Sequence, residues 1–221
     1  IRDRINIQLM KDSLGFVLLG LPYTLGISLL SFLTGLFFGL LLALLGRLRQ
    51  PLIHYLVKVY ISIMRGVPMI VVLFVLYFGL PYYGLEWPAL LCAYLGFSMV
   101  SAAYISEVFR SSIDAIDKGQ WEAAKALGLP YSLMVKKIIL PQAFRIAIPP
   151  LGNVIIDMVK SSSLAAMITV PDIFQNAKII GGREWDYMSM YILVAFIYWL
   201  IAFLLELSLI HISEPTRPLY I

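Results

Sequence analysis

The sequence predicts an all-α polytopic membrane protein, with about five transmembrane helices and a cytosolic helix between the third and the fourth. Three observations carry that prediction. Apolar residues make up 61% of the 221 and charged residues only 14%, and the mean hydropathy of +0.88 lies outside the range of soluble globular chains. The apolar residues gather into continuous runs near or above the ~20 residues that cross a bilayer as a helix. Such runs are too long for barrel strands, so the backbone must satisfy its own hydrogen bonds within helices. Finally, a polar stretch at about 117–146 interrupts the runs with an Ala-rich segment, a glycine and a basic pair.

The elements follow in order. Residues 1–17, with Arg2, Asp3, Arg4, Lys11 and Asp12, read as an amphipathic lead-in. No charged start, short apolar stretch and small-residue cleavage site mark a signal peptide, and Ile1 in place of Met points to a trimmed start. The transmembrane domain is expected over 18–210, as spans Leu18–Leu45, Val57–Leu80, Pro88–Ile116, Ile148–Val170 and Tyr187–Ile210. In the first, Gly35 and Gly39 form a small-xxx-small pair suited to close helix packing. In the second, Gly66 and Pro68 break the helical ladder and predict a kink or gate. Residues 211–221, with Pro215 and Pro218 directly after a span, resemble translated vector or adapter sequence and are expected to be non-native.

Loop charge sets the expected orientation. The first connector holds Arg47, Arg49 and Lys58, and the third holds Lys118, Lys125, Lys136, Lys137 and Arg145, whereas Pro81–Trp87 has neither Lys nor Arg. The positive-inside rule then places connectors one and three in the cytosol, the N-terminus outside and the C-terminus inside. Lys178 and Arg183 in the fourth connector argue weakly the other way. The net charge of +4 sits in these loops, which points to membrane orientation and not to nucleic acid. Cys92, His54 and His211 stand apart, so neither a disulfide framework nor a metal site is expected.

The polar loop reads as a short helix over Gln120–Leu127, rich in Ala and stopped by Gly128. Trp121, Ala124 and Leu127 offer apolar surface to a partner's cleft. The competing reading is an amphipathic hairpin on membrane lipid, with Lys136 and Lys137 touching anionic headgroups. Within the spans, Arg65, Glu107, Arg110, Asp157 and Lys160 each cost roughly 2.5–3.5 kcal/mol to insert, which marks them as functional candidates. Helical spacing puts Tyr104, Glu107 and Ser111 on one face of span three, and Asp157, Lys160 and Ser161 on one face of span four. Mixed charge of this kind suits a zwitterion. Local pairing of Glu107 with Arg110 and of Asp157 with Lys160 is the alternative.

Glu122-Ala-Ala124, Gly128 and Ile138-Ile-Leu-Pro141 resemble the "EAA" loop of importer-type ATP-binding cassette (ABC) transporter permeases. Tyr60-Ile-Ser-Ile-Met-Arg-Gly-Val-Pro68, Tyr77-Phe-Gly-Leu-Pro81, Leu140-Pro-Gln-Ala143 and Lys160-Ser-Ser-Ser-Leu-Ala-Ala166 are similar to the polar amino acid branch, cystine-type permeases foremost. Ser161 stands where that branch often has an acid. The resemblance implies a permease subunit in a bacterial cell (inner) membrane, itself not an enzyme. It would receive a polar amino acid, L-cystine above others, from an extracytoplasmic binding protein. Its implied partners are a second permease, identical or homologous, and two ABC ATPase subunits. Gly119, Glu122, Ala123, Ala124 and Gly128 would couple it to the ATPase. Arg65, Tyr104, Glu107, Asp157, Lys160 and Ser161 are the candidate substrate pathway. The chain carries no G-x-x-x-x-G-K-[ST] phosphate loop, so ATP and its magnesium are expected on the partner ATPase and no cofactor here. The alternative function is a self-sufficient secondary carrier or channel for small zwitterions. Against it, five spans do not divide into an inverted repeat.

Overall fold

The structure is a computed structural model that describes residues 5–213. Its described residues are almost wholly helical. The first helix, α1 (Ile7–Leu18), is capped by Asn6, whose Oδ1 accepts the Leu9 N–H at 2.9 Å. The Asn6 N–H donates to Ser189 Oγ at 2.8 Å, tying the chain's start to a distant segment. Arg2, Asp3 and Arg4 lie outside the described residues, as does the tail beyond Ser213.

Span one is α2 (Leu21–Leu45), which starts three residues later than the apolar run, because the chain turns at Leu19–Gly20. That turn needs glycine. A Cβ at Gly20 would run into the main chain of Asp172 and Ile173. Span three is α5 (Ala89–Asp114), packed along the length of α2. Gly35 and Gly39 make that approach possible, as their spacing predicts: an added Cβ would strike the Ser101 side chain at one and Ile105, at 2.8 Å, at the other. Hydroxyls lock the pair, with Ser101 Oγ donating to the Ser31 carbonyl at 3.1 Å and Ser31 Oγ to the Tyr94 carbonyl at 3.2 Å.

Span two is broken where the sequence predicts. Helix α3 (Pro51–Gly66) and α4 (Met69–Phe74) meet at 102°, with α4 running on through a wide turn at Val75–Gly79 and a tight one at Leu80–Tyr83. Pro68 has no N–H to give and forces Val67 out of helical geometry, to φ −89° and ψ 130°. The element also begins six residues before the expected Val57, because Pro51 is pre-organised for a first helical turn.

Helix α6 (Lys118–Ala126) lies within the expected cytosolic loop. Asp117 caps it, accepting the Gly119 N–H at 2.6 Å, and Gly128 ends it at φ +70°, a left-handed conformation that favours glycine. The next apolar stretch corrects the expected boundary at Ile148. Helix α7 (Tyr131–Met134), a wide turn (Val135–Ile139), α8 (Leu140–Ser161) and a tight turn (Ser162–Ile168) form one rod over Tyr131–Ile168. Pro141 does not stop it, since the wide turn at Val135–Ile139 directly before it accommodates a residue without an N–H.

The fourth connector is not a loop. It holds α9 (Ile173–Glu184), with Asp172 as N-cap, whose inner face packs with Val17 of α1 and with Met190, Leu193 and Ile197 of α10 (Tyr187–Ser213). Alternation of Lys178 and Arg183 with apolar residues hides a half-buried helix. Helix α6 packs at the opposite end of the bundle, below Leu44 of α2 and Ile113 of α5. The two polar elements therefore cap opposite ends.

Candidate functional site

The break in span two leaves room beside α5 and α8. A cavity of about 580 Å³ lies there, lined by Arg65, Tyr104, Asp157, Lys160 and Ser161 together with apolar residues such as Met69 and Phe97. Five of the six residues singled out as a pathway thus meet in one space of a size typical for small ligands. Arg65 reaches it because α3 ends there, and its guanidinium lies 5.4 Å from the centroid of the Tyr104 ring. Across the cavity Lys160 Nζ sits 3.6 Å from Asp157 Oδ1, a half-exposed pair of small energetic worth. Gly66 and Pro68 line the mouth where the helix breaks.

Glu107 is the sixth residue, and it does not line this cavity. It accepts from Arg110 Nε at 3.0 Å and Nη2 at 2.9 Å, and it stands 3.4 Å from Arg65 Nη1. The local pairing foreseen for Glu107 and Arg110 is therefore present. A bond that spacing along one helix could not reveal, from α3 to α5, is added to it. Ser111, on the same face, spends its hydroxyl on the Val108 carbonyl at 3.0 Å.

At the C-terminal end of α5, α6 is packed against the bundle. Ala124 is 1% exposed and packs with Ile113 and Ile116 from the end of α5 and with Ile139 and Ala143 around the start of α8. It therefore faces inward and offers nothing to a partner, contrary to the expectation from its place beside Trp121 and Leu127. Trp121 is half-buried and stacks on Tyr131 with ring centroids 6.4 Å apart. Gln142 Nε2 donates to Gln120 Oε1 at 3.1 Å and to the Ile138 carbonyl at 2.9 Å, pinning α6 to the long rod. The outward face shows Gly119, Glu122 and Ala123, and Leu127 is 76% exposed.

One cluster is not among the residues that the sequence singles out. Asp172 is wholly buried, its Oδ1 accepting the Gln175 N–H at 2.8 Å and its Oδ2 the Tyr198 hydroxyl at 3.4 Å. Beside it Thr24 Oγ1 accepts the Ile173 N–H at 3.4 Å. Burial pushes the Asp172 carboxyl up to about 7, against the smaller opposing pull of these hydrogen bonds and of Lys178. The sequence does hold a signal for it: Asp172 followed three residues later by Gln175 is the order of a capping box.

A bent second span, a small helix docked across the ends of α5 and α8, and a mixed-charge cavity beside them define a membrane transport subunit. The family model for "binding-protein-dependent transport system inner membrane component" matches residues 35–214, and the chain belongs to that family. The chain is 55% identical over 196 residues to a probable amino-acid ABC transporter permease protein, YckA of Bacillus subtilis, covering 89% of this chain and 87% of that one. It is 38% identical over 203 residues to the L-cystine transport system permease protein TcyB of the same organism, covering 91% and 86%. A crystal structure of an amino acid ABC transporter with histidines superposes with a TM-score of 0.91 at 30% identity, over 96% of this chain and 99% of that one. Like its relatives this chain is a permease, an integral membrane subunit without a catalytic role.

Proposed function

We propose that this permease carries a polar amino acid, L-cystine before others, from an extracytoplasmic binding protein into the cytoplasm of a bacterial cell. The observation that carries the reading is the mixed-charge cavity at the break in span two, in a chain whose family is binding-protein-dependent. Arg65 and Lys160 offer cations to a carboxylate, and Asp157 offers an anion to an ammonium. The 38% identity to an L-cystine permease supports the substrate, since cystine presents such a charge pair at each end.

Force reaches the cavity through α6. Two ATPase subunits, which hold ATP and magnesium, would seat the outward face of α6 around Gly119, Glu122 and Ala123. Because Ala124 packs on both α5 and the start of α8, displacement of α6 moves two walls of the cavity together. Gly128 keeps the stop of α6 sharp. A second permease, identical or homologous, encloses the polar faces that one copy leaves open, because lipid solvates such charge poorly. In this reading α6 lies in the cytosol, with the N-terminus outside and the C-terminus inside, which the basic loops support through the positive-inside rule.

The test is uptake by vesicles holding the permease with its ATPase and binding protein, using labelled L-cystine, L-glutamine, L-arginine and L-histidine. Uptake that requires ATP and is competed best by cystine supports the proposal. Uptake driven by an ion gradient without ATP would sink it, and preference for another amino acid would remove the cystine assignment alone.

A further inference from the structure

Toward the end that carries α6, a second cavity of about 520 Å³ opens between α3 and the ends of α2 and α5. Arg47, His54, Lys58, Glu107, Arg110 and Asp114 line it. A ladder of alternating charge joins the two cavities along one side of α5. Arg65, in the first cavity, lies 3.4 Å from Glu107. Glu107 is 2.9 Å from Arg110, Arg110 is 3.1 Å from Asp114, and Asp114 is 2.7 Å from Arg47.

Three features of the ladder point to a ligand. Its members are a quarter to half exposed, Arg47 and Glu107 at 27% and 26% and Arg110 and Asp114 at 52% and 47%, although Glu107, Arg110 and Asp114 stand on a membrane-spanning helix. Lipid would solvate them poorly, so water or an enclosing partner must face them. Exposed pairs are also weak, so a ligand can take the place of either partner at little cost. Finally, Lys58 has no carboxylate partner among the described residues, which leaves one cation unspent. An amino acid carries its ammonium and carboxylate on one carbon, a spacing that adjacent rungs of opposite sign can bridge.

We propose that the second cavity is a cytosol-side subsite for the transported zwitterion, with Lys58 and Arg47 taking its carboxylate and Asp114 its ammonium, reached from the first cavity along this ladder. The proposal rests on the reading of the first cavity as the substrate site. The amino acid leaves the Arg65 end by exchanging one paired charge for the next, so that neither of its ends is bare on the way out.

The experiment uses the assembled complex in vesicles and the labelled amino acid that the wild type takes up. Neutralising the last rung as a unit, with Arg47→Gln and Asp114→Asn together, leaves no unpaired charge behind. Loss of the charge-assisted contacts should lower uptake at least about tenfold. ATP hydrolysis should fall much less, so that more ATP is spent per amino acid. The charge-keeping pair Arg47→Lys with Asp114→Glu should restore uptake. Wild-type uptake by the neutral pair would overturn the proposal. So would equal loss in both pairs with a lowered melting temperature, because that marks a purely structural bridge. Should the neutral pair fail to assemble, Lys58→Gln breaks no bridge in the fold and must show the same excess of hydrolysis over uptake; unaltered uptake there overturns the subsite. Failure of the first-cavity reading shows differently, as Asp157→Asn with full uptake.

Discussion

Replacing Asp172 by Asn should flatten part of the pH dependence of stability. The carboxyl titrates near 7 in the folded protein, because it is buried, and near 3.8 when exposed. Between those values the folded state holds a proton that the unfolded state has released, so stability falls as pH rises. The site's contribution is intact below about pH 4, is lost progressively up to about pH 7 and is constant above that. From about pH 5 to about pH 8 the loss is on the order of 2.5 kcal/mol, and for a chain of this size it lowers the melting temperature by roughly 5–10 °C. Asn keeps the cap on α9, since it accepts the Gln175 N–H as well as Asp does. Its Nδ2 takes the place of Oδ2 and donates to the Tyr198 hydroxyl oxygen, and it has no charge to bury. The assay is thermal unfolding of purified wild type and Asp172→Asn in lipid nanodiscs, followed by tryptophan fluorescence across that pH range. The difference between the two proteins should grow in favour of Asn as pH rises. Curves that stay parallel would refute the assignment of a buried carboxyl that is protonated at acidic pH.

Gly20→Ala should destabilise the same end by about 1–3 kcal/mol, because its Cβ meets main-chain atoms of Asp172 and Ile173 that cannot swing aside; a melting temperature within error of wild type would contradict the close approach. Glu122→Lys should change stability by less than about 0.5 kcal/mol, as an exposed substitution does, while uptake and substrate-stimulated hydrolysis both fall; normal transport by the assembled variant would remove the coupling role. Ala124→Leu should do the reverse in the first instance, lowering the melting temperature by the equivalent of about 1–3 kcal/mol through overpacking against Ile113 and Ile139.

Much of this architecture is legible in the sequence because the bilayer imposes length and apolarity on each span. Periodic glycines and a proline also act locally, so a close helix contact at Gly35 and Gly39 and the break at Pro68 can be read from residue spacing, whereas the identity of the partner, α5, cannot. The helix α9 is harder to read. It is neither apolar enough for a span nor polar enough for a loop, and only its cap at Asp172 announces it. The start of the fourth span differs from the expected Ile148 for a related reason: Pro141 reads as a stop, but the wide turn at Val135–Ile139 lets the helix run through it. Within the site, helical spacing groups Tyr104 with Glu107 and Asp157 with Lys160. It cannot place Arg65 between them, because that depends on the 102° bend, nor bring Arg47 to Asp114, which are 67 residues apart. Ala124 shows the same limit, since a nine-residue helix presents a small residue equally well to a partner or to its own bundle.

The central claim is that the cavity at the break in span two receives the amino acid, and Ser161 lines it on the side of α8. Cys92 is the chain's single cysteine, so Cys92→Ala provides a background in which Ser161→Cys carries the only thiol. The rate at which a small membrane-impermeant maleimide labels that thiol in the assembled complex can be measured with and without the amino acid that the complex takes up. The account predicts that labelling slows when that amino acid is present and not when a non-transported one is. Labelling that stays unaltered by the transported amino acid, in a variant that still takes it up, would place the substrate elsewhere.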